Sequence, residues 1–229
     1  MHRATTRIPR ALAAAAVPVI LVTAGCSSSD DGGIGDSSNP SSAAESPESS
    51  EPQIEPAKFA KLPDPCDALA EDSIKDLVPG AKSTAGTAGK SADTAQRSSC
   101  SWTGLKGYQW RWLDVSYQRY DSDPAVGSGA DRAAEYYGKQ IAAAEATEGA
   151  KGMQSSAASG LGEKATKFTY ETTKDKQDYR KQIVVALHEN VVVSVNYQGA
   201  GFQGSDQPKA ADLLKDAEKA TKEALTAVK

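Results

Sequence analysis

Apolar positions fall into three regimes along the chain. They run unbroken from Ala11 to Val22, almost vanish from Ser27 to Pro65, and then recur with the spacings of regular secondary structure to Lys229. In the last regime, Leu69, Ile74, Leu77 and Val78 lie near one side of a helix that Pro79-Gly80 stops. Residues 81–98 are rich in Gly, Ala, Ser and Thr and predict a long loop. Cys100–Thr103 and Tyr108–Tyr120 predict strands, and in the second Leu113, Val115 and Tyr117 alternate toward a core. Ala133, Ala134, Tyr137, Ile141 and Ala144 have helical spacing within Ala130–Glu148. After a loop holding Gly160-Leu161-Gly162, Ala165–Thr172 predicts another strand.

The clearest element is a hairpin. Tyr179, Lys181, Ile183, Val185 and Leu187 alternate before the turn His188-Glu189-Asn190, and Val191, Val193, Val195 and Tyr197 alternate after it. A final helix follows, capped by Ser205 or Asp206 with Pro208 in its first turn, and carries Leu214, Ala217, Thr221, Leu225 and Val228 along one side. The order α-β-β-α-β-β-β-α predicts an α+β domain, an antiparallel sheet with flanking helices, over residues 65–229.

The first two regimes carry an address. Arg3, Arg7 and Arg10 precede the apolar run, which ends in Thr23-Ala24-Gly25-Cys26. A basic head, a short apolar middle and small residues before a cleavage point are the marks of a secretory signal peptide, here residues 1–25. The run is shorter than the about 20 residues a membrane span needs, and Pro18 inside it weakens the case for a transmembrane helix. Thr23 to Cys26 resemble a bacterial lipobox: Ala24 and Gly25 match its last two positions, and Thr23 stands where Leu is commonest. That resemblance makes Cys26 the acylated N-terminus, held at the outer face of the cell membrane by its lipid; the alternative is an ordinary secreted protein. Residues 26–64 are dominated by Ser, Gly, Pro, Asp and Glu, and cannot bury enough apolar surface to offset chain entropy. They predict a disordered linker.

Removing the leader takes away three arginines and no acids, leaving 23 basic against 30 acidic residues, a net charge of −7. Such a balance argues against nucleic acid as a partner. With Cys26 acylated, Cys66 and Cys100 remain as an even pair outside the cell, where a disulfide is the expected outcome. They lack the Cys-x-x-Cys spacing of a reactive thiol pair.

Asp64-Pro65-Cys66 opening a helix, Cys100-Ser101-Trp102, Gly160-Leu161-Gly162-Glu163-Lys164-Ala165 and Asn190-Val-Val-Val-Ser-Val-Asn-Tyr together resemble a family of small actinobacterial lipoproteins with a domain of unknown function. The similarity runs through most of residues 64–229, with Lys164 standing where members usually carry an acid. It implies export, a lipid anchor and a disulfide, and lends no catalytic residues.

Two phosphate-binding signals fail on context. Gly199-Ala-Gly201-Phe-Gln-Gly204 matches G-x-G-x-x-G, but the chain ends with the following helix, so the second parallel strand of a dinucleotide fold is missing. Gly89-Lys90-Ser91 imitates the end of a P-loop whose first glycine falls on Thr84. Asp121-Ser-Asp123 begins like a calcium loop, with Val126 and Arg132 where Gly and Glu are needed. His188 is the one histidine after the leader, at a turn where a solvated side chain is ordinary. No nucleophile motif accompanies it, and no metal or cofactor is expected.

Binding is the reading that remains: a non-catalytic or accessory domain recognising an envelope component, peptide or protein. A hydrolase with a concealed site and a purely structural envelope component are the alternatives. Since Leu113, Val115 and Tyr117 face the core, Trp110 and Trp112 fall on the opposite face, with Tyr108 in register beside them. Large aromatics there invite a ligand. A covering helix, or a bulge at Gly107 or Trp110 that changes the register, is the competing expectation.

Overall fold

The structure, a computed structural model, describes residues 54–229. The expectations for the leader, for Cys26 and for residues 27–53 lie outside the described residues. No helix among the described residues is long and apolar enough to cross a membrane.

The elements run α1 (Glu71–Leu77), β1 (Thr87–Ala88), β2 (Arg97–Lys106), β3 (Gln109–Arg119), α2 (Gly129–Glu145), β4 (Lys151–Ala157), β5 (Lys164–Lys174), β6 (Gln177–His188), β7 (Val191–Gly201) and α3 (Ala210–Ala227). The strands form one antiparallel sheet in the order β1-β2-β3-β7-β6-β5-β4. Two meanders therefore join along β3 and β7, and α2 crosses over to start the second at the far edge. The α+β class with a flanked antiparallel sheet and one disulfide agrees with the sequence. The order is corrected by two strands. β1 lies in the expected loop and pairs only through Thr87 with Ser101 and Ala88 with Cys100. β4 is polar and almost wholly exposed, an edge strand with no apolar alternation to betray it.

Toward their shared hairpin both faces of the sheet are apolar, because Val184–Leu187 of β6 and Val191–Val193 of β7 are buried on both sides. On one face Trp102, Leu113, Val115, Tyr117, Val184, Ala186, Val193, Val195 and Tyr197 meet Ile74, Leu77 and Val78 around α1 and Leu213, Ala217, Ala220 and Ala224 of α3. Fully burying each aliphatic side chain contributes about 1.5–3 kcal/mol, so this layer dominates stability. Its two tyrosines stay satisfied: Tyr117 Oη donates to Ala224 O at 2.8 Å, and Tyr197 Oη donates to Leu77 O. Burial pushes both phenols well above their usual range. On the other face Val185, Leu187 and Val192 meet Ala133, Tyr136, Tyr137 and Ile141 of α2.

The final helix starts later than its caps suggested. Ser205, Asp206 and Pro208 precede it, and Lys209 at its N-cap makes no side-chain capping bond. Its buried face centres on Leu213 rather than Leu214. The Cys66–Cys100 disulfide ties the segment before α1 to β2, with Cα atoms 5.1 Å apart.

Composition alone placed residues up to 64 in the linker, yet Phe59 is buried and Leu62 packs on the core. The cause is polar rather than apolar. Asn190 accepts from Phe59 N at 2.8 Å and donates from Nδ2 to Phe59 O and Tyr120 O at 2.9 and 2.8 Å. Arg119, also buried, donates to Phe59 O and Ala95 O and pairs with Asp121.

Candidate functional site

The short motifs that carried the family resemblance turn out to hold the fold. Asp64 Oδ1 accepts from Cys66 N at 2.8 Å, shaping the turn before the disulfide. Trp102 is 2 % exposed and donates from Nε1 to Thr84 O at 2.8 Å, fastening the long loop to β2. Gly162 has φ +64°, and a Cβ there would lie 2.2 Å from Leu187 O. Only glycine fits both constraints. It lets Leu161 enter the core while Glu163 closes over the β6–β7 hairpin. Asn190 pins residue 59, as described. These positions build the scaffold and leave the ligand question to other residues.

The register of β3 places the tryptophans as alternation requires. Trp110 and Trp112 point away from the α3 side, both part-exposed, and neither joins a core cluster. No bulge intervenes: β2, β3 and β7 pair continuously through this stretch. Tyr108 sits one residue before β3, in the β2–β3 turn, and is 51 % exposed. The covering helix is only partial. α2 covers Val185, Leu187 and Val192 toward one end of the strands, whereas the tryptophans lie toward the other.

Two rings join them that sequence reasoning did not assign to a site. Trp110 meets Tyr179 edge-on at 5.5 Å between centroids, and Phe202 lies 6.4 Å from each. Thr103 Oγ1 accepts from Trp110 Nε1 at 3.2 Å. Tyr179 was visible as part of an alternating strand, but only the β6–β7–β3 register brings it beside Trp110. Phe202 follows the strand in a glycine-rich loop, where no period marks it.

Next to the aromatics the pairing sets polar side chains in rows. Trp112 pairs with Gln198, which pairs with Lys181; Asp114 pairs with Asn196, which pairs with Ile183. Burial holds the Asp114 carboxyl above the ordinary range, partly opposed by its hydrogen bond with Asn196. Burial holds the Lys181 ammonium below its usual value, and the charge of Lys174 adds to this. A cleft of about 440 Å³ continues past Trp110 over the β2 edge, lined by Thr103, Leu105 and the Lys82–Ser83 loop among others. There β1 has ended and only an isolated bridge, Ala81 to Gly104, follows.

The remaining candidates resolve differently. A Cβ on Gly201 would lie 2.3 Å from Asp206 O, so this glycine of the G-x-G-x-x-G run admits the chain's own backbone. Asp121 is engaged by Arg119, and Asp123 closes a turn with Ala125 and Gly127. Among the described residues no three His, Cys, Asp or Glu side chains converge as metal ligands do. His188 is not simply solvated. Its Nδ1 lies 3.1 Å from Glu163 Oε1, and its ring packs 5.0 Å from Phe59. The second Glu163 oxygen accepts from Glu189 N, so the pair also closes the hairpin turn.

No curated protein and no solved structure matches the chain. The model of a family described as proteins of unknown function, DUF3558, matches residues 21–210. That stretch spans most of the chain and takes in every motif that carried the resemblance, so this protein belongs to the DUF3558 family.

Proposed function

We propose that this is an exported lipoprotein, anchored through Cys26 at the outer face of the cell membrane, whose domain is a non-catalytic binding module. The ligand lies across the sheet face formed by Trp110, Trp112 and Tyr179. One observation carries the reading: two tryptophans stand in regular register outside both core clusters and keep solvent access. Tryptophan is highly buried on average. Aromatic side chains at such a face offer large contact area at little cost in conformational freedom.

A hydrolase is the second reading, favoured by the His188–Glu163 pair. Against it, Glu163 is shared with a backbone amide, the imidazole leans on Phe59, and no hydroxyl or thiol hydrogen-bonds to the ring among the described residues. A base needs its nucleophile within reach.

The test pairs Trp110→Ala with Trp112→Ala in the intact lipoprotein, followed by crosslinking in living cells. Crosslinked adducts are expected to disappear while the variant stays folded. Its loss of stability should be well below that of Trp102→Ala, for which removal of a core tryptophan costs about 3–5 kcal/mol. Adducts that persist would place the ligand elsewhere on the domain, and a collapse matching Trp102→Ala would make these rings core. The anchor is tested separately: Cys26→Ser should release the protein from the membrane or leave unprocessed precursor, and an unacylated N-terminus found elsewhere would refute it.

A further inference from the structure

The aromatic face has a second property, its charge. Across β3, β7 and β6 the side chains beside the tryptophans are Asp114, Asn196, Gln198 and Lys181. The Asp114 carboxylate offsets the Lys181 ammonium, with the Lys174 charge near the latter, and the two amides each both donate and accept. A polyanion would meet a basic surface, and an aliphatic peptide anchor would meet an apolar groove. On the floor beside the two tryptophans neither predominates, although Leu105 is exposed opposite Trp110 and Lys82 lines the adjoining cleft. The combination on the floor is an aromatic surface bordered by hydrogen-bond donors and acceptors carrying both signs of charge.

We propose that this face binds a neutral carbohydrate chain, its sugar rings lying on Trp110 and Trp112 and its hydroxyls meeting Asp114, Asn196, Gln198 and Lys181. The inference rests on the binding reading above and names its ligand class. A pyranose is amphiphilic in the matching sense. Its C–H face is apolar and stacks on an aromatic ring, while its rim of hydroxyls both donates and accepts. The platform is also set in advance. Tyr179 and Phe202 flank Trp110, and Thr103 accepts from its indole, so little ring freedom remains to be lost on binding.

The extent of the site points to several sugar units rather than one. From Lys181 on β6 to Thr103 on β2 the floor crosses four neighbouring strands, on the order of 15 Å at the usual strand spacing. The cleft past Trp110 continues that path over the β2 edge, lined by Lys82, Ser83, Thr87, Ser101, Thr103 and Leu105 among others.

The test titrates the full mature chain with chitohexaose, cellohexaose, maltohexaose and neutral glycans released from the host envelope, following tryptophan fluorescence and calorimetry. Polygalacturonate and a mixed-sequence peptide pool serve as charged and peptide probes. Saturable binding of a neutral glycan is expected, little changed by salt, and weakened about tenfold by Trp112→Ala or Gln198→Ala. Trp112→Phe, which keeps a ring, should retain most affinity, and unchanged circular dichroism excludes misfolding as the cause. The proposal is overturned if no neutral glycan binds, if binding survives both substitutions, or if only the polyanion binds with strong salt dependence. A photo-crosslinker placed in cells at Leu105, exposed beside Trp110, separates ligand binding from ligand class. If it traps a protein while no glycan binds, the face still binds a ligand and the carbohydrate is wrong; if it traps nothing and no glycan binds, both fall.

Discussion

Asn190→Ala should detach the segment around Phe59 from the domain, and the cost can be bounded from the contacts. Asn190 is 1 % exposed and makes three hydrogen bonds, two to the Phe59 backbone and one to Tyr120 O. Each buried hydrogen bond contributes about 1 kcal/mol net, and a buried partner left unsatisfied costs about 1–3 kcal/mol. The chain has an escape: residues 55–62 can lift, letting water satisfy Phe59 N and O. The penalty then becomes the lost burial of the Phe59 ring, about 1.5–3 kcal/mol. Tyr120 O also lies where water can replace the amide once the segment lifts, because Tyr120 is part-exposed. The expected destabilisation is about 2–4 kcal/mol, a fall of roughly 4–16 °C in Tm for a domain of this size. Calorimetry measures the fall, and hydrogen exchange should show the Phe59 amide losing protection while β6 and β7 keep theirs. Phe59→Ala combined with Asn190→Ala should cost less than the two separately, since both remove the same docking. A variant within about 0.5 kcal/mol of the parent, or one with the Phe59 amide still protected, would refute the reasoning.

Two further predictions concern stability. Replacing both Cys66 and Cys100 with Ala opens a loop with a sequence separation of 34 and should lower unfolding free energy by about 3–4 kcal/mol on the chain-entropy model; denaturant titration checks it, and an unchanged midpoint contradicts it. Asp114→Asn should stabilise the protein near neutral pH. The folded carboxyl has its pKa raised above 3.8, so its contribution is complete below that value and is lost as pH rises through the folded pKa. Midpoints of parent and variant should converge in acid and separate toward neutrality; a variant less stable at every pH would show that the carboxylate is needed.

Much of the fold was legible because burial in this domain is periodic. Leu113, Val115 and Tyr117 alternate in β3, and the valines of β7 alternate in the same way, so strand phase and the side on which Trp110 and Trp112 emerge could be read directly. Helix α1 announced itself through Ile74, Leu77 and the Pro79-Gly80 stop. Elements without an apolar signature stayed hidden. β4 has only Met153 part-buried and is held by backbone pairing to β5. β1 is two residues long. The docking of residues 55–62 depends on Asn190 and Arg119, polar groups more than fifty residues away in sequence. The candidate site was legible to the same degree. The tryptophans could be found from alternation within one strand, but Tyr179, Lys181, Gln198 and Asn196 join them only through register, which is set by two consecutive antiparallel pairings. Phe202 reaches the cluster from a loop, where no pattern constrains direction.

The central claim is that a ligand covers the Trp110–Trp112 face where the protein resides, and hydroxyl-radical footprinting tests it without any substitution. The protein is oxidised on intact cells and, in parallel, after purification, and modification is read residue by residue by mass spectrometry. Tyr120 and Tyr136, part-exposed and packed against each other at the α2 end of the sheet, serve as internal references away from the tryptophans. The account predicts that Trp110, Trp112 and Tyr179 are oxidised in the purified protein and protected on cells, while the references react equally in both. Equal oxidation of the three rings in both settings would contradict it.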